Sequence, residues 1–201
     1  MNTEGFLLKN VYPIISQIFL VVTLIFIALM LLRLIFNYTD PNPFGAVGRF
    51  SYKLKKHTDP YVYPAARLLA QFRINTKFAP LITILITAIL SYFLLGIVQN
   101  TLLIIDGLTI ALQTNNAKAL VGWVLYALVS VYILFIFIRF IGAWFVFAHN
   151  TFLGFVQRVT DPILIPAQRI IPTIGMFDIS AMLVLLLLGF LQTIIRGTFQ
   201  I

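Results

Sequence analysis

Thr58-Asp59-Pro60-Tyr61-Val62-Tyr63-Pro64-Ala65-Ala66-Arg67 returns later in the chain as Thr160-Asp161-Pro162-Ile163-Leu164-Ile165-Pro166-Ala167-Gln168-Arg169. Thr, Asp, both prolines, Ala and the closing Arg recur at one offset, 102 residues from Thr58 to Thr160. Self-similarity at this scale marks two copies of one structural unit. Outward from the motif the copies keep matching. Leu32-Arg33-Leu34 upstream is answered by Ile138-Arg139-Phe140, and Asn42-Pro43-Phe44 by Asn150-Thr151-Phe152. Downstream, Phe78-Ala79-Pro80 stands where the second copy has Phe177-Asp178-Ile179-Ser180. The first loop is the longer one, and its extra length coincides with the basic stretch Lys53–His57.

Each motif is flanked by uncharged apolar runs: Ile14–Leu32 and Phe78–Ile105 in the first copy, Ala119–Ile138 and Ile179–Ile195 in the second. Crossing the hydrocarbon core takes about 20 residues, so each run is long enough to span. Composition agrees, with 61% of the 201 residues hydrophobic and 10% charged. That leaves too little polar surface for a soluble domain, which carries about 25% charged residues. The sequence therefore predicts an all-α membrane protein with four transmembrane helices, arranged as two helix–loop–helix repeats. Two spans per repeat make the copies parallel, unlike the inverted repeats of many transporters. The repeats are expected over 1–105, with helices near 13–36 and 78–105, and over 119–201, with helices near 119–148 and 178–197. An external linker, 106–118, joins them.

The net charge of +8 is unevenly placed. Arg49, Lys53, Lys55, Lys56, Arg67, Arg73 and Lys77 lie between the first two spans, and Arg158 and Arg169 between the last two. Arg33 and Arg139 stand at the ends of spans one and three, while the opposite side receives only Lys9, Lys118 and Arg196. Positive loops stay inside, so both termini are expected outside and both motif loops in the cytoplasm. The same basic surface suits anionic lipid head groups, not nucleic acid. No cysteine is present, which excludes disulfides and thiolate metal sites. The amino-terminal stretch has neither a signal-peptide cleavage pattern nor an Arg- and Ser-rich transit character. The expected home is a bacterial inner membrane, with a thylakoid or plastid membrane as the alternative.

Position by position, the motif reads as a helix start. Asp59 or Asp161 before Pro60 or Pro162 can cap free amides, and proline fits a first helical position. Pro64 and Pro166, four residues on, predict a tight turn or a short helix restarting there. The piece after Arg67 and Arg169 is expected along the membrane interface. Arg67 and Arg169 are candidates to meet lipid phosphate, to pair with Asp59 or Asp161, or to receive a partner protein. Asp178 is expected to cap the last span. Arg33 and Arg139 are expected to snorkel to head groups, with Tyr38 and Trp144 in an aromatic belt.

The chemistry-bearing inventory is thin. The six carboxylates, Glu4, Asp40, Asp59, Asp106, Asp161 and Asp178, are scattered. His57 and His149 are the only histidines and form no metal-ligand spacing. Gly-rich phosphate loops and nucleophile elbows are absent. No catalytic, metal or cofactor site is expected, and the protein reads as a non-enzyme. Within the spans Ser16, Gln17, Thr23, Thr83, Thr87, Ser91, Gln99 and Gln192 offer hydrogen bonds but no ionisable group, which argues against proton-coupled transport.

The repeated D-P-x-x-x-P-x-x-R, followed by Ile171-Pro172 and Gly175-Met176-Phe177-Asp178-Ile179-Ser180, resembles the YggT family of small membrane proteins. The resemblance covers nearly the whole chain and is best in the second copy. The first copy departs from it, with Gln71-Phe72-Arg73-Ile74-Asn75-Thr76-Lys77-Phe78-Ala79-Pro80 and no Asp cap. The resemblance implies a membrane factor acting through partners. Family associations run to osmotic or envelope stress and cell division, and in plastid relatives to haem attachment in a cytochrome complex and nucleoid distribution. The expected function is thus a non-enzymatic membrane assembly or organising factor. Asp59, Pro60, Pro64, Arg67, Asp161, Pro162, Pro166, Arg169 and Asp178 would make its partner or lipid contacts. The partner is an unidentified membrane or cytoplasmic protein, or a second copy of this chain. The alternative is a small ion channel or transporter in osmotic adaptation.

Overall fold

The computed structural model describes residues 5–39, 42, 44–144, 151–171 and 178–201. Among these the chain is mostly helical, with no strand. The elements are α1 (Phe6–Asn10), α2 (Tyr12–Thr39), α3 (Ala46–Gln71), a 3₁₀ turn (Thr76–Phe78), α4 (Ala79–Gln113), α5 (Ala117–Trp144), α6 (Thr151–Ile170) and α7 (Ile179–Phe199). Four segments are long and apolar enough to cross a membrane: Tyr12–Thr39, Thr76–Gln113, Ala117–Gly142 and Ile179–Phe199. They are clad in exposed Leu, Ile, Val and Phe, which suits lipid as solvent and would be untenable in water. The polypeptide is a multi-pass membrane protein.

Two compact units divide the chain inside α4: a first unit, Ile14–Gly96, and a second, Met1–Pro13 with Ile97–Ile201. In the first, Met30 of α2 and Ala79 of α4 close on Val62, Ala65 and Leu69 of α3, with Phe26, Ile82 and Ile86 around them. In the second, Ile136 of α5 and Ala181 and Val184 of α7 close on Leu164 of α6, with Tyr132, Phe140, Ala167 and Leu188 around them. The two cores occupy matching sequence positions, Val62 with Leu164 and Ala65 with Ala167 among them. In each unit the buried stripe of an amphipathic helix, α3 or α6, packs against side chains of two apolar helices.

That amphipathic helix departs from the expected turn or restart at Pro64 and Pro166. Helix α3 runs unbroken through Pro60 and Pro64, and α6 through Pro162 and Pro166. A proline inside a helix forfeits one backbone bond and displaces the carbonyl four residues back. Neighbouring helices and Thr side chains can re-satisfy such groups, as they do in membrane helices. Here the packing stripe is continuous across the prolines. Gly48, Ser51, Leu54, Thr58, Val62, Ala65 and Leu69 are buried along one face of α3, with Pro64 buried beside it, and Val156, Thr160 and Leu164 along one face of α6. Three- and four-residue spacing is the period of one helical face. A seam this long holds the helix together where local preference would break it.

The expected linker over 106–118 is also mostly helix. Helix α4 continues to Gln113, and only Thr114–Asn116 separates it from α5. Asp106 is buried in the wall of α4, where its carboxylate accepts the N–H groups of Leu7 (3.1 Å) and Leu8 (2.8 Å). Those are orphan donors of the first turn of α1, so one helix caps the start of another. Asn115, at φ 49°, provides the left-handed turn before α5. Close approach between α4 and α5 needs Gly107, since a Cβ there would run into the Trp123 indole.

Candidate functional site

The repeated motif is a clasp, and its cation comes from a span. In the first unit Arg33 of α2 reaches α3: one terminal nitrogen donates to Thr58 Oγ1 (2.5 Å) and to the Lys55 carbonyl (3.3 Å), the other to Asp59 Oδ1 (2.6 Å). In the second unit Arg139 of α5 reaches α6 in the same way. It donates to Thr160 Oγ1 (2.9 Å), the Gln157 carbonyl (3.3 Å) and Asp161 Oδ1 (2.5 Å). Both threonines also donate back to the carbonyl one turn earlier, Thr58 to Leu54 (2.6 Å) and Thr160 to Val156 (2.8 Å). Guanidinium, hydroxyl, carboxylate and backbone carbonyl therefore occupy equivalent places in both copies.

This arrangement corrects three sequence-based expectations. Arg33 and Arg139 do not snorkel away from the protein; they bind the amphipathic helices. Asp59 and Asp161 do not cap a helix start, because they sit mid-helix and each meets an arginine. Arg67 and Arg169 do not pair with these aspartates. Both are exposed, and neither side chain has a hydrogen bond or ion pair among the described residues. The common cause is reach: α3 and α6 run unbroken through the motif, which brings each aspartate within charge-assisted hydrogen-bond distance of a span arginine.

Asp178 does cap the last span. Its carboxylate accepts the Ala181 N–H (3.0 Å), the Ser180 hydroxyl and the Gln168 side-chain amide (2.7 Å). Burial pushes this carboxyl up. The bonds from Ser180, Ala181 and Gln168, with the nearby Arg139 charge, outweigh it and hold the group below the usual aspartate value. Gln168 belongs to α6, so the cap also ties α6 to α7. In the first unit Asn75 accepts the Lys77 N–H (2.9 Å) to start a 3₁₀ turn, and Ala66 stands where Gln168 would be. Of the other candidates, Tyr38 is exposed beside Phe78, with ring centroids 6.1 Å apart. His57 Nδ1 contacts the Lys53 carbonyl of its own helix (2.9 Å). His149, Asp40, Glu4 and the Trp144 side chain lie outside the described residues. No group of metal-ligating side chains forms among the described residues.

Sequence reasoning missed one polar cluster. Asn100 of α4 donates to Ser130 of α5 (3.0 Å) and accepts from Tyr126 (2.8 Å), while Gln192 of α7 donates to Ser130 (2.7 Å). Ser130 in turn donates to the Tyr126 carbonyl (2.9 Å). In the first unit Thr23 of α2 and Ser91 of α4 share a hydrogen bond at 3.2 Å. Gln192, Thr23 and Ser91 were visible as polar residues in spans; their partners depend on helix rotation, which spacing alone does not give.

Taken together, the fold and the clasps define a class: an all-helical multi-pass membrane protein in which an arginine of an apolar span holds each amphipathic helix. The chain matches the CCB3/YggT family over residues 9–98 and 119–199, one segment per copy, and it belongs to that family. Among relatives, an uncharacterized protein of Haemophilus influenzae is 28% identical over 167 residues, covering 81% of each chain. The uncharacterized protein YggT of Escherichia coli K12 is 34% identical over 74 residues, 35% of this chain and 39% of that protein. No solved structure matches.

Proposed function

We propose that the protein is a non-enzymatic organising or assembly factor of a bacterial inner membrane, and that α3 and α6 are its contact elements on the cytoplasmic face. The observation that carries this reading is the duplicated clasp. Two spans each spend a charged residue on holding an amphipathic helix in place, and each helix keeps an arginine, Arg67 or Arg169, exposed and without a partner among the described residues. A surface fixed that firmly, with free cations on it, suits docking better than turnover. The basic side of the chain supplies the orientation, since positive loops stay in the cytoplasm. The role in osmotic or envelope stress, division or membrane-complex biogenesis would follow from the partner.

A channel remains the competing reading. Its strongest support is the Asn100–Tyr126–Ser130–Gln192 cluster, but those bonds satisfy one another within the second unit, as helix-joining groups do. Cross-linking in living cells at native level, through photo-probes beside Arg67 and Arg169, tests the proposal. A reproducible protein that disappears with Arg67→Ala and Arg169→Ala supports it. Capture of nothing but lipid removes its main support, and ion flux through liposomes carrying the purified chain would favour the channel.

A further inference from the structure

Helix α3 carries a line of cations that α6 lacks. Arg49, Lys53, Lys56 and Arg67 are all exposed, and their spacing of four, three and eleven residues keeps them on one face. That face lies opposite the buried stripe from Gly48 to Leu69. At about 1.5 Å per residue the line is about 27 Å long. Among the described residues no acidic side chain pairs with it: Asp59 is the one carboxylate of α3, and Arg33 holds it. None of the four has an ion pair or side-chain hydrogen bond among the described residues. At the matching positions of α6 stand Thr151, Phe155, Arg158 and Arg169, so half the charge is gone.

We infer that the outward face of α3 binds anionic phospholipid head groups, and that this is a property of the first repeat and not of the second. The inference rests on α3 being a contact element of a membrane protein, as proposed above, but not on any protein client. Three observations select lipid as the occupant. The seam of α3 packs on α2 and α4 around Met30 and Ala79, which sets the helix at the end of the spans. Tyr52 and Tyr63 are exposed among the cations. Aromatic rings interleaved with Lys and Arg are what the head-group layer accommodates. Finally, the charge is a line about 27 Å long with no ion pair among the described residues, which fits several mobile phosphodiesters better than one shaped ligand.

Each Lys or Arg near an anionic surface is worth about 1 kcal/mol, roughly a fivefold preference per cation before mutual screening. The test uses the full chain in nanodiscs of phosphatidylcholine with a trace of spin-labelled phosphatidylglycerol or, separately, spin-labelled phosphatidylcholine. The relative association constant is read from the motionally restricted fraction. Phosphatidylglycerol should be preferred severalfold at low salt, and the preference should fall as screening rises toward 0.5 M, on the order of a 4 Å Debye length. The triple substitution Arg49→Gln, Lys53→Gln, Lys56→Gln should lower it by about fivefold or more. Arg158→Gln, the α6 counterpart of Lys56, should lower it far less. Circular dichroism and elution volume confirm that both variants fold, and the salt arm needs no variant. Equal association of the two lipids, an unchanged preference in the triple variant, or binding of a short nucleic-acid duplex with no lipid preference would each overturn the inference. No client protein is present and Arg67 is untouched, so failure here leaves the docking proposal standing, and its failure leaves this one.

Discussion

The two repeats hold their surface helices with the same four groups but bury them differently. The Arg33 side chain is 10% exposed and its partner Asp59 63%, whereas Arg139 and Asp161 are 22% and 38%. In the first unit, then, a cation is sealed beneath a wet carboxylate. The Nε of Arg33 is buried and has no hydrogen-bond partner among the described residues. The second spreads the load. Tyr132 donates to the Val159 carbonyl (3.2 Å), where the first unit has Phe26 packing edge-on against Tyr61 and no hydroxyl to give. Asp178 and Gln168 add a tie between α6 and α7 that Asn75 and Ala66 do not reproduce. The clasp is the same in both units, and the supports around it differ.

The sharpest way to break the comparison is to remove the two carboxylates in turn. Asp59→Ala strands the Arg33 guanidinium in a nearly dry site, and breaking such a pair costs about 3–5 kcal/mol. The exposed carboxylate end places the expected loss at the low end, about 3 kcal/mol. Asp161→Ala leaves a cation that can turn toward water and should cost about 1 kcal/mol. Equilibrium unfolding in mixed micelles measures both, and equal losses would mean that burial of the arginine does not set the difference. Adding Arg33→Met to Asp59→Ala should recover part of the loss, because an apolar side chain has no charge to strand.

A second contrast lies in helix contact. Gly107 faces the Trp123 ring so closely that a Cβ must displace it, while Gly96, eleven residues earlier on the same helix, has nothing within 4 Å. Gly107→Ala should therefore cost about 2 kcal/mol through overpacking. Gly96→Ala should change stability by no more than about 0.5 kcal/mol, as for an uncrowded surface position. If both substitutions prove neutral, the α4–α5 approach is looser than its geometry.

Third comes the cap. Asp178→Ala removes the acceptor of the Ala181 N–H and the tie to Gln168 and should cost about 1 kcal/mol. The sign of its pH dependence follows from the lowered folded-state value. The contribution is complete above the unfolded aspartate value of about 3.9 and is lost as pH falls through the lower folded one. Wild type and Asp178→Ala should thus differ by a constant amount between about pH 5 and 8, and converge only below about 3.9. Convergence already near neutrality would contradict the hydrogen bonds around the carboxylate.

How much of this was legible beforehand differs from residue to residue. The four spans follow from charge-free runs, and the Asp178 cap from a local signal, Asp before a span with Ser two residues on. The unbroken α3 and α6 were not legible, because Pro60 and Pro64 argue locally for a break while the seam from Gly48 to Leu69 is a tertiary fact. The clasp was half legible. Leu32-Arg33-Leu34 and Thr58-Asp59-Pro60 both recur, but at different offsets, since the intervening stretch differs in length. A repeated cation at a span end and a repeated anion in the next helix are a pair in waiting. That pairing becomes visible only when the two repeats are aligned piecewise. Arg67 and Arg169 drew attention by lying inside the motif, yet the groups the motif serves are upstream in the spans.

The smallest expected effect asks whether the divergence of supports is functional drift or compensation. Tyr132→Phe gives the second unit the first unit's ring, deleting only the hydroxyl that bonds Val159. Hydrogen bonds between membrane helices average about 0.6 kcal/mol, so the loss should be near that figure. The double variant Tyr132→Phe with Asp161→Ala distinguishes the two cases. If the hydroxyl and the ion pair restrain α6 together, removing both should cost more than the sum of the separate losses, because neighbouring restraints couple. If α6 is held by its seam of Val156, Thr160 and Leu164 regardless, the two losses should simply add. The same cycle run with Phe26→Tyr and Asp59→Ala shows whether a hydroxyl supplied to the first unit can take over part of its clasp. Rescue there would mean that the first repeat lost a support it can still use, and that its buried arginine carries the load alone.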